Sequence, residues 1–443
     1  MISENEVSQT QFSSNQTSQQ NITIKQTEDK NSPQQNLSTT ADVSVNRLRI
    51  KFQIAFAFLT FILLGANDAV IGVLLPHWGS SYNVDKTTLS LVFFAGTVGY
   101  LTAALNSNFL FRTLGRVKFL SLGKLAFLIG AITFCFQPPI YILLSIPPFL
   151  LGFGAAILEA ALNAHLADFP NKTALLNYLH AFYGLGALLT PFIASQMLEA
   201  DLSWGLTYLV ISSGSLVLLI SIRWLFTKAD QGLTPTATSS ENTQIESPLQ
   251  YRFVWLFAFF SLLYAGAEIS LGNWSYSFLT QYRDEGPVLA GWLMSGYWLG
   301  LTVGRVFIAP LTNKLGSRKV VNLCLIGVIG GVFILNFLTF SATSAFGLLL
   351  TGFCLGPINP TALAFLTNVI PPHLVTGAIS FIASLGSLGK AFFPWVAGNV
   401  AEKLGLEMFL PYIIVIIAVM VVSWIVVLNQ ANHNQMEIQP ATE

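Results

Sequence analysis

The amino-acid sequence predicts an all-α membrane protein with twelve transmembrane helices in two six-helix halves. Of its 443 residues, 53% are hydrophobic and only 9% are charged, whereas soluble globular chains carry roughly 25% charged residues. The hydrophobic residues form repeated runs of about 20, the length that a helix needs to cross a bilayer. Motifs of the first half of the chain also recur about 200 residues later.

The apolar runs are too long for the strands of a membrane barrel, which have about 10 residues of alternating polarity. We therefore interpret them as helices, separated by breaks at Pro, Gly and charged clusters. The predicted helices lie at residues 51–77, 87–110, 117–136, 140–168, 173–198, 203–227, 251–281, 287–312, 319–340, 343–369, 374–400 and 407–429.

Polar segments flank and divide these helices. Residues 1–46 are rich in Gln, Asn, Ser and Thr, so they cannot bury enough apolar surface to fold, and we expect a disordered tail. Residues 47–227 form the first six-helix half and residues 251–429 the second. The polar linker 228–250 joins the halves, and residues 430–443 form a short C-terminal tail.

Loop charges predict the orientation, because basic residues are retained on the cytoplasmic side of a membrane. With the N-terminus inside, the outer loops hold only Lys86, Arg283 and Lys403. The cytoplasmic flanks hold Arg47, Arg49, Lys51, Arg112, Arg116, Lys118, Lys172, Arg223, Lys228, Arg252, Lys314, Arg318 and Lys319. We therefore expect both termini in the cytoplasm. We expect the protein in the plasma membrane or in a vacuolar or other endomembrane. A net charge of zero gives no sign of nucleic acid binding.

The internal repeat predicts how the halves are related. Asp68 and Gly72 match Glu268 and Gly272 at an offset of 200 residues. The matches occur in the same order in both halves, which is typical of parallel halves related by an axis along the membrane normal. Further matched pairs are Gly152 and Gly352, Glu159 and Asn359, Gly115 and Gly316, Gly186 and Gly389, and Pro191 and Pro394.

Five charged residues lie within the predicted helices. A charged side chain there costs about 2.5–3.5 kcal/mol on insertion scales, so it normally faces a cavity or a partner. Several of the five lie about 16 residues into a helix, near mid-membrane at about 1.5 Å per residue. We expect them to share one chamber between the halves. The five are Asp68, Glu159, Glu268, Arg305 and Lys390.

Polar or aromatic residues at helical spacing extend this chamber on three helices. They are Asn163, His180, Tyr183, Tyr264 and Trp274. Polar faces on otherwise apolar helices predict water or a polar ligand between the halves. The sequence holds no metal-ligand cluster, nucleophile elbow or phosphate-binding loop, so we expect neither an enzyme nor a metal or other cofactor.

Each candidate also has a structural interpretation. Asp68 or Glu268 could pair with Lys390 and hold the halves together, because buried charges are usually paired. Arg305 could bind backbone carbonyls or an acid near the inner gate. His180 could be an ordinary hydrogen-bonded histidine, and the aromatic residues could serve packing alone.

Four short motifs stand in order over roughly residues 50–429. They are Asn67-Asp68 before Leu74-Leu75-Pro76, Gly152-Phe153-Gly154 leading to Glu159 and Asn163, His180-Ala181-Phe182-Tyr183-Gly184-Leu185-Gly186, and Gly356-Pro357-Ile358-Asn359-Pro360. Together they resemble the major facilitator superfamily and, within it, the fucose–proton symporter branch of sugar transporters. The resemblance implies that two carboxylates, Asp68 and Glu159 here, serve sugar binding and proton coupling.

The resemblance extends in part to the gate loops. The superfamily's motif of Asp, a basic residue, any residue, Gly and Arg keeps Gly115 and Arg116 between the second and third helices. The matching loop of the second half keeps Gly316 and Arg318. Both loops lack the acid of the motif.

We therefore expect a secondary active transporter of a small polar solute, in the first place a sugar, coupled to protons by alternating access. Proton coupling is assigned to Glu159 with support from Asp68, and charge pairing to Lys390 and Arg305. The alternatives are a proton-independent facilitator and a non-transporting nutrient sensor. The expected partners are the solute, protons and the bilayer, and we expect a monomer. The expected solute-binding residues are Asn67, Asp68, Asn163, His180, Tyr183, Tyr264, Glu268, Trp274 and Asn359.

Overall fold

A computed structural model of the chain describes residues 33–226 and 247–438. The regular secondary structure within these ranges is helical. The α-helices are α1 (Pro33–Tyr82), α2 (Lys86–Leu89), α3 (Leu91–Cys135), α4 (Ile146–Ala167), α5 (Lys172–Glu199), α6 (Gly205–Leu225), α7 (Arg252–Gln281), α8 (Pro287–Leu315), α9 (Ser317–Phe337), α10 (Ser341–Leu355), α11 (Ile358–Leu366), α12 (Pro372–Lys403) and α13 (Phe409–Ile438).

The helices account for twelve membrane crossings. Ten helical stretches of the described chain are long and apolar enough to span a membrane. One of them, Lys86–Cys135, has 50 residues and reverses at Gly115, where φ is 72° and ψ is 166°, so it crosses twice. Helix α8, with 29 residues, also exceeds the length of a span. The predicted twelve-helix membrane protein is therefore confirmed.

The tenth predicted helix is interrupted at a proline. The chain forms α10 up to Leu355 and begins α11 at Ile358, with Gly356 and Pro357 between them. A proline has no backbone N–H and clashes with the carbonyl four residues earlier, so a straight helix cannot continue through it.

The two halves pack by matching contacts, which confirms the repeat. At several glycines the neighbouring helix comes so close that an added Cβ would collide with its backbone. These contacts recur at an offset of about 200 residues. The matched pairs are Gly152 against Gly96 and Gly352 against Tyr297, Gly186 against Ile62 and Gly389 against Leu262, and Gly99 against Phe149 and Gly300 against Leu349.

The two loop glycines of the repeat also share a backbone conformation. Gly115 has φ 72° and Gly316 has φ 83°, in the region that only glycine adopts without strain. We call the end of the molecule with these two turns the Gly115 end, and the opposite end, where α1 and α7 finish, the Lys86 end.

The described contacts between the halves lie between mid-membrane and the Lys86 end. They include the ion pair of Lys86 with Glu402 and the ring contacts of Phe94 with Trp395 and Phe192 with Trp292. Close approaches at glycines add the Ser90 side chain against Gly398, the Thr302 side chain against Gly184 and the Asn273 backbone against Gly72. These contacts seal the central space from the Lys86 end, where a separate cleft remains that both halves line, with Lys86, Ser277 and Glu402 among its residues.

The predicted polar segments are described only in part, because residues 1–32, 227–246 and 439–443 lie outside the described ranges. Residues 33–46, which we expected to be disordered, are instead helical, as the first part of α1. Adding residues to an existing helix is far easier than nucleating one, and this stretch contains no glycine and has proline only at its first position. Helix α13 likewise continues to Ile438.

Candidate functional site

A cavity of about 140 Å³ lies between the halves near mid-membrane. Helices α1, α3 and α4 of the first half and α7 and α12 of the second half line it. Its polar and charged lining includes Asn67, Asp68, Tyr100, Glu159, Asn273 and Lys390. The cavity thus unites both predicted carboxylates of the first half with the predicted lysine of the second.

Asp68 is held by two hydrogen-bond donors. The Tyr183 hydroxyl of α5 donates to Asp68 Oδ2 at 2.7 Å, and the Asn67 amide donates to Asp68 Oδ1 at 3.1 Å. Hydrogen bonds to a charged acceptor are stronger than those between neutral groups. Both carboxylate oxygens are thus engaged, so the side chain is fixed at the cavity wall.

Glu159 has a single side-chain donor. The Tyr100 hydroxyl of α3 donates to Glu159 Oε2 at 2.9 Å. Among the described residues none is seen to donate to Oε1. One turn further along α4, the Asn163 amide donates to the Glu159 backbone carbonyl at 2.8 Å rather than to its carboxylate. Glu159 therefore keeps one oxygen available to a proton or a solute.

Lys390 faces these two acids from the other half. It lines the same cavity from α12, is exposed, and forms no ion pair within 4.0 Å among the described residues. Since the space between the halves is sealed at the Lys86 end, this exposure indicates that the cavity reaches solvent from the Gly115 end. One cation thus faces two carboxylates without being locked to either.

Two buried amide oxygens complete the polar part of the cavity. Asn67 on α1 is 6% exposed and Asn273 on α7 is 3% exposed. The Asn67 amide nitrogen binds Asp68 and the Asn273 amide nitrogen binds the Ile269 carbonyl. Neither Oδ1 atom has a hydrogen-bond partner in the described chain. A buried acceptor without a donor costs free energy, so each half holds one unsatisfied acceptor at the cavity wall.

A second charged cluster lies within the second half. Glu268 Oε1 pairs with Arg305 Nη2 at 2.9 Å, and Arg305 Nε donates to the Gly356 carbonyl at 3.1 Å. The Tyr297 hydroxyl donates to the Glu268 backbone carbonyl at 2.8 Å. The partner of Glu268 is therefore Arg305 and not Lys390, because α8 packs beside α7 and brings the guanidinium directly to the acid. This cluster also fits the alternative in which Arg305 binds a carbonyl and an acid.

Comparison with known proteins decides the family. The family model of the Major Facilitator Superfamily matches residues 57–286 and 277–436, which together cover more than half of the chain. The chain belongs to the major facilitator superfamily. As a member of this superfamily it is a multi-pass membrane transport protein and not an enzyme.

Relatives within the superfamily are distant but match over most of their length. Bypass of stop codon protein 6 of Saccharomyces cerevisiae is 24% identical over 409 residues, covering 85% of this chain and 82% of that protein. The glucose/mannose transporter GlcP of Bacillus subtilis is 24% identical over 351 residues, covering 77% and 86%. The crystal structure of a D-xylose-proton symporter has a TM-score of 0.67 at 14% identity, covering 84% of this chain and 97% of that chain. At that identity the likeness concerns the fold alone.

Trp274 does not belong to the central cavity. Its side chain is 1% exposed, and its indole N–H donates to the Pro394 carbonyl of α12 at 2.9 Å. An indole has a single donor and no acceptor, so Trp274 has no polar atom left for a solute. The sequence placed it beside a polar face, whereas the structure uses it to join α7 to α12.

The remaining candidates lie outside this cavity lining. Tyr264 is 2% exposed and belongs to the cluster of Glu268 and Arg305. His180 is exposed and makes an edge contact with Phe61 at 5.6 Å between ring centroids. Asn359 is half-buried on α11. Their part in solute binding therefore stays a prediction.

The gate loop of the first half obtains its acid from another helix. Arg116 Nη2 pairs with Asp168 Oδ2 at 2.9 Å, and Asp168 is the C-cap residue of α4. In the second half, Arg318 Nη1 donates to Asn432 Oδ1 at 2.6 Å. Although the first gate loop lacks the acid of the superfamily motif, its Arg116 still forms an ion pair.

The lining residues that we did not predict from the sequence include Tyr100 and Asn273. Tyr100 lies on the second predicted helix, for which we considered no polar face, although Thr97 and Tyr100 stand three residues apart there. For the seventh helix we chose the face of Glu268 and Gly272, whereas the structure turns Ile269 and Asn273 to the cavity. Adjacent residues on a helix point in different directions. An error of one residue in choosing the helix face therefore assigns the wrong residues to the cavity lining.

Proposed function

We propose that this protein carries a small polyhydroxylated solute, in the first place a hexose, across its membrane by alternating access coupled to protons. The observation that carries the solute class is the pair of buried acceptors Asn67 Oδ1 and Asn273 Oδ1, one from each half. Sugar hydroxyls are donors spread around a ring, so one sugar can satisfy acceptors on opposite walls. The similarity to a glucose/mannose transporter supports a hexose.

Glu159 is the proposed proton site, with Asp68 in support. Protonating Asp68 would disturb oxygens that already accept from Tyr183 and Asn67. Glu159 Oε1 can take a proton while Oε2 keeps its bond from Tyr100. Protonation of Glu159 therefore disturbs fewer existing hydrogen bonds than protonation of Asp68.

Lys390 supplies the link between proton and solute. With both acids ionised, one cation faces two anions in the cavity, and the halves attract each other through it. Protonation of Glu159 weakens that attraction and changes the relative free energies of the two alternating states. Coupling requires this kind of differential affinity between states.

The proposed orientation follows from the loop charges. Arg112, Arg116, Lys118, Arg318 and Lys319 lie at the Gly115 end, which the retention of basic residues assigns to the cytoplasm. The cavity then opens inward, and both termini are cytoplasmic. We propose a monomer as the working unit.

The test is uptake of D-glucose and D-mannose into proteoliposomes with and without an imposed pH gradient. Accumulation above the external concentration, abolished by a protonophore, is the expected result. Uptake that stops at equal sugar concentrations on both sides, with or without the pH gradient, would favour the proton-independent facilitator. Binding of sugar by the purified protein without transport would favour the nutrient sensor. Absence of both binding and transport would contradict the proposal that the solute is a hexose.

A further inference from the structure

The central cavity is divided by polarity along its length. At mid-membrane it is lined by the polar and charged groups described above. Toward the Lys86 end, the remaining lining forms an apolar arm, defined by Ile71, Val92, Phe93, Phe134, Pro148 and Leu151. No ionisable side chain belongs to that lining, so the two ends of one cavity suit different chemical groups.

The cavity lining extends along α4 for longer than a sugar ring. Glu159 and Pro148 line the cavity from the same helix, α4, and are separated by 11 residues, which corresponds to about 16 Å at the rise of an α-helix. Between the two ends, the small side chains of Thr97 and Ala155 line the cavity, while Gly152 packs directly against the backbone of Gly96.

The walls of the arm are buried and fixed by packing. Phe134 is 1% exposed, and its ring stacks on Trp78 at 5.1 Å and on Tyr208 at 4.4 Å between ring centroids. Leu151 is 2% exposed. Side chains held on both faces cannot readily move to close the space, so the arm is a preformed apolar pocket.

We propose that this arm binds the apolar substituent of a glycoside, so that the protein takes short alkyl or aryl glycosides as ligands as well as free sugars. The proposal rests on the proposed sugar function, because the glycosyl group occupies the polar end beside Asp68, Glu159 and Asn273. The aglycone then points along α3 and α4 toward Phe93 and Phe134. Apolar walls offer water no hydrogen bonds, so an alkyl group that displaces water there gains free energy.

The size of the effect follows from the transfer of methylene groups. A buried methylene contributes about 0.8 kcal/mol, which is about a fourfold gain in affinity. Three added methylenes, from methyl to butyl β-D-glucopyranoside, should therefore strengthen binding by about 50-fold. Longer chains should gain less, because the arm ends at the sealed side of the molecule.

The experiment uses the full chain in nanodiscs and follows thermal stabilisation by methyl, ethyl, propyl and butyl β-D-glucopyranosides, since stabilisation reports ligand affinity. Ala155→Leu fills the passage between the two ends. Ala160→Leu makes the same change on the same helix at an exposed position outside the cavity lining. Partition of the glycosides into lipid affects all three proteins equally.

The expected result is an affinity that rises with chain length in wild type and Ala160→Leu but not in Ala155→Leu. A flat series in wild type, or an equal rise in Ala155→Leu, would overturn the proposal. The melting transition without ligand shows whether Ala155→Leu is folded. Failure of D-glucose uptake in proteoliposomes would count against the proposed function, while the binding series would still decide whether the arm takes an aglycone.

Discussion

Glu268 of α7 and Arg305 of α8 form an ion pair of 2.9 Å, so the acid that repeats Asp68 is neutralised within its own half. Its repeat mate Asp68 accepts hydrogen bonds from neutral donors, among them Tyr183. The two matched acids therefore contribute differently to the cavity. Both carboxylates of the cavity lining, Asp68 and Glu159, belong to the first half, and this asymmetry arises although the backbone packing of the halves is repeated.

The first prediction concerns this ion pair. Arg305→Met should lower the free energy of unfolding by about 3 kcal/mol, because removing one member of a buried pair leaves the other charge uncompensated. Glu268→Leu should cost less, because Arg305 keeps the Gly356 carbonyl. The double variant Glu268→Leu with Arg305→Met should recover much of the loss, and thermal unfolding of the purified proteins measures all three. A double variant as unstable as the sum of its parts would contradict the pairing.

The second prediction concerns Glu159. Glu159→Gln should reduce the pH-driven accumulation of D-glucose in proteoliposomes to simple equilibration, because an amide cannot carry the proton. Exchange of labelled for unlabelled sugar should persist, since it needs no net proton movement. Glu407→Gln is the matched control, because Glu407 is exposed and lies far along the chain from the cavity lining. Accumulation that survives Glu159→Gln would show that the coupling proton is carried elsewhere.

The fold was accessible from the sequence because each step had a strong local signal. Apolar run length predicted the membrane crossings, and the glycines near the 200-residue offset predicted the repeated packing. The exception is residues 33–46, where polar composition predicted disorder and the structure continues α1. Composition reports whether a segment can bury apolar surface, but not whether an adjoining helix extends into it.

The site was only partly accessible for a geometric reason. A charged residue inside a membrane helix is conspicuous, so Asp68, Glu159 and Lys390 could be found from the sequence alone. Whether a neutral residue such as Asn273 or Trp274 faces the cavity depends on how its helix is rotated about its own axis. Side chains at adjacent positions of a helix point about 100° apart. The ion-pair partner of Glu268 depends on which helix packs beside α7, and the sequence does not show which helices are neighbours.

The third prediction concerns the ion pair at the Lys86 end. Lys86 Nζ lies 3.9 Å from Glu402 Oε2, and the backbone N–H of Lys86 donates to the same oxygen at 3.0 Å. These side chains are 32% and 38% exposed, so the pair contributes only about 0.2–1 kcal/mol. The cavity can open at this end only if the contact breaks. Glu402→Ala should therefore raise the population of the open state by up to about fivefold.

Labelling with a membrane-impermeant maleimide measures this change. The reporter is Ser277→Cys, at a position 2% exposed in the cleft of the Lys86 end, and the free cysteines Cys135, Cys324 and Cys354 are replaced by Ser. Reversing the pair with Lys86→Glu and Glu402→Lys should return the rate toward that of the parent. Equal labelling in all three proteins would show that the pair does not hold this end closed.

The cap of α2 should not interfere with that measurement. The backbone N–H of Thr88 donates to Asp85 Oδ1 at 2.7 Å and, with the Thr88 hydroxyl, holds the pKa of Asp85 below its usual value. The cap contributes stability above the pKa that Asp85 has in the unfolded chain, and this contribution is lost as pH falls through the lowered pKa of the folded state. Near neutral pH Asp85 therefore stays ionised and the cap remains intact.

The last prediction concerns the contact of α5 with α8 across the halves. A Cβ on Gly184 would collide with the side chain of Thr302. Overpacking of this kind costs about 1–3 kcal/mol, and here the strain falls on the state sealed at the Lys86 end. Gly184→Ala should therefore slow D-glucose uptake, and Thr302→Ala in the same chain should restore it. Gly186→Ala is the control, because its Cβ would meet the Ile62 carbonyl inside the first half, where Thr302→Ala offers no relief. Rescue of both glycine variants by Thr302→Ala, or of neither, would contradict a steric contact specific to Gly184.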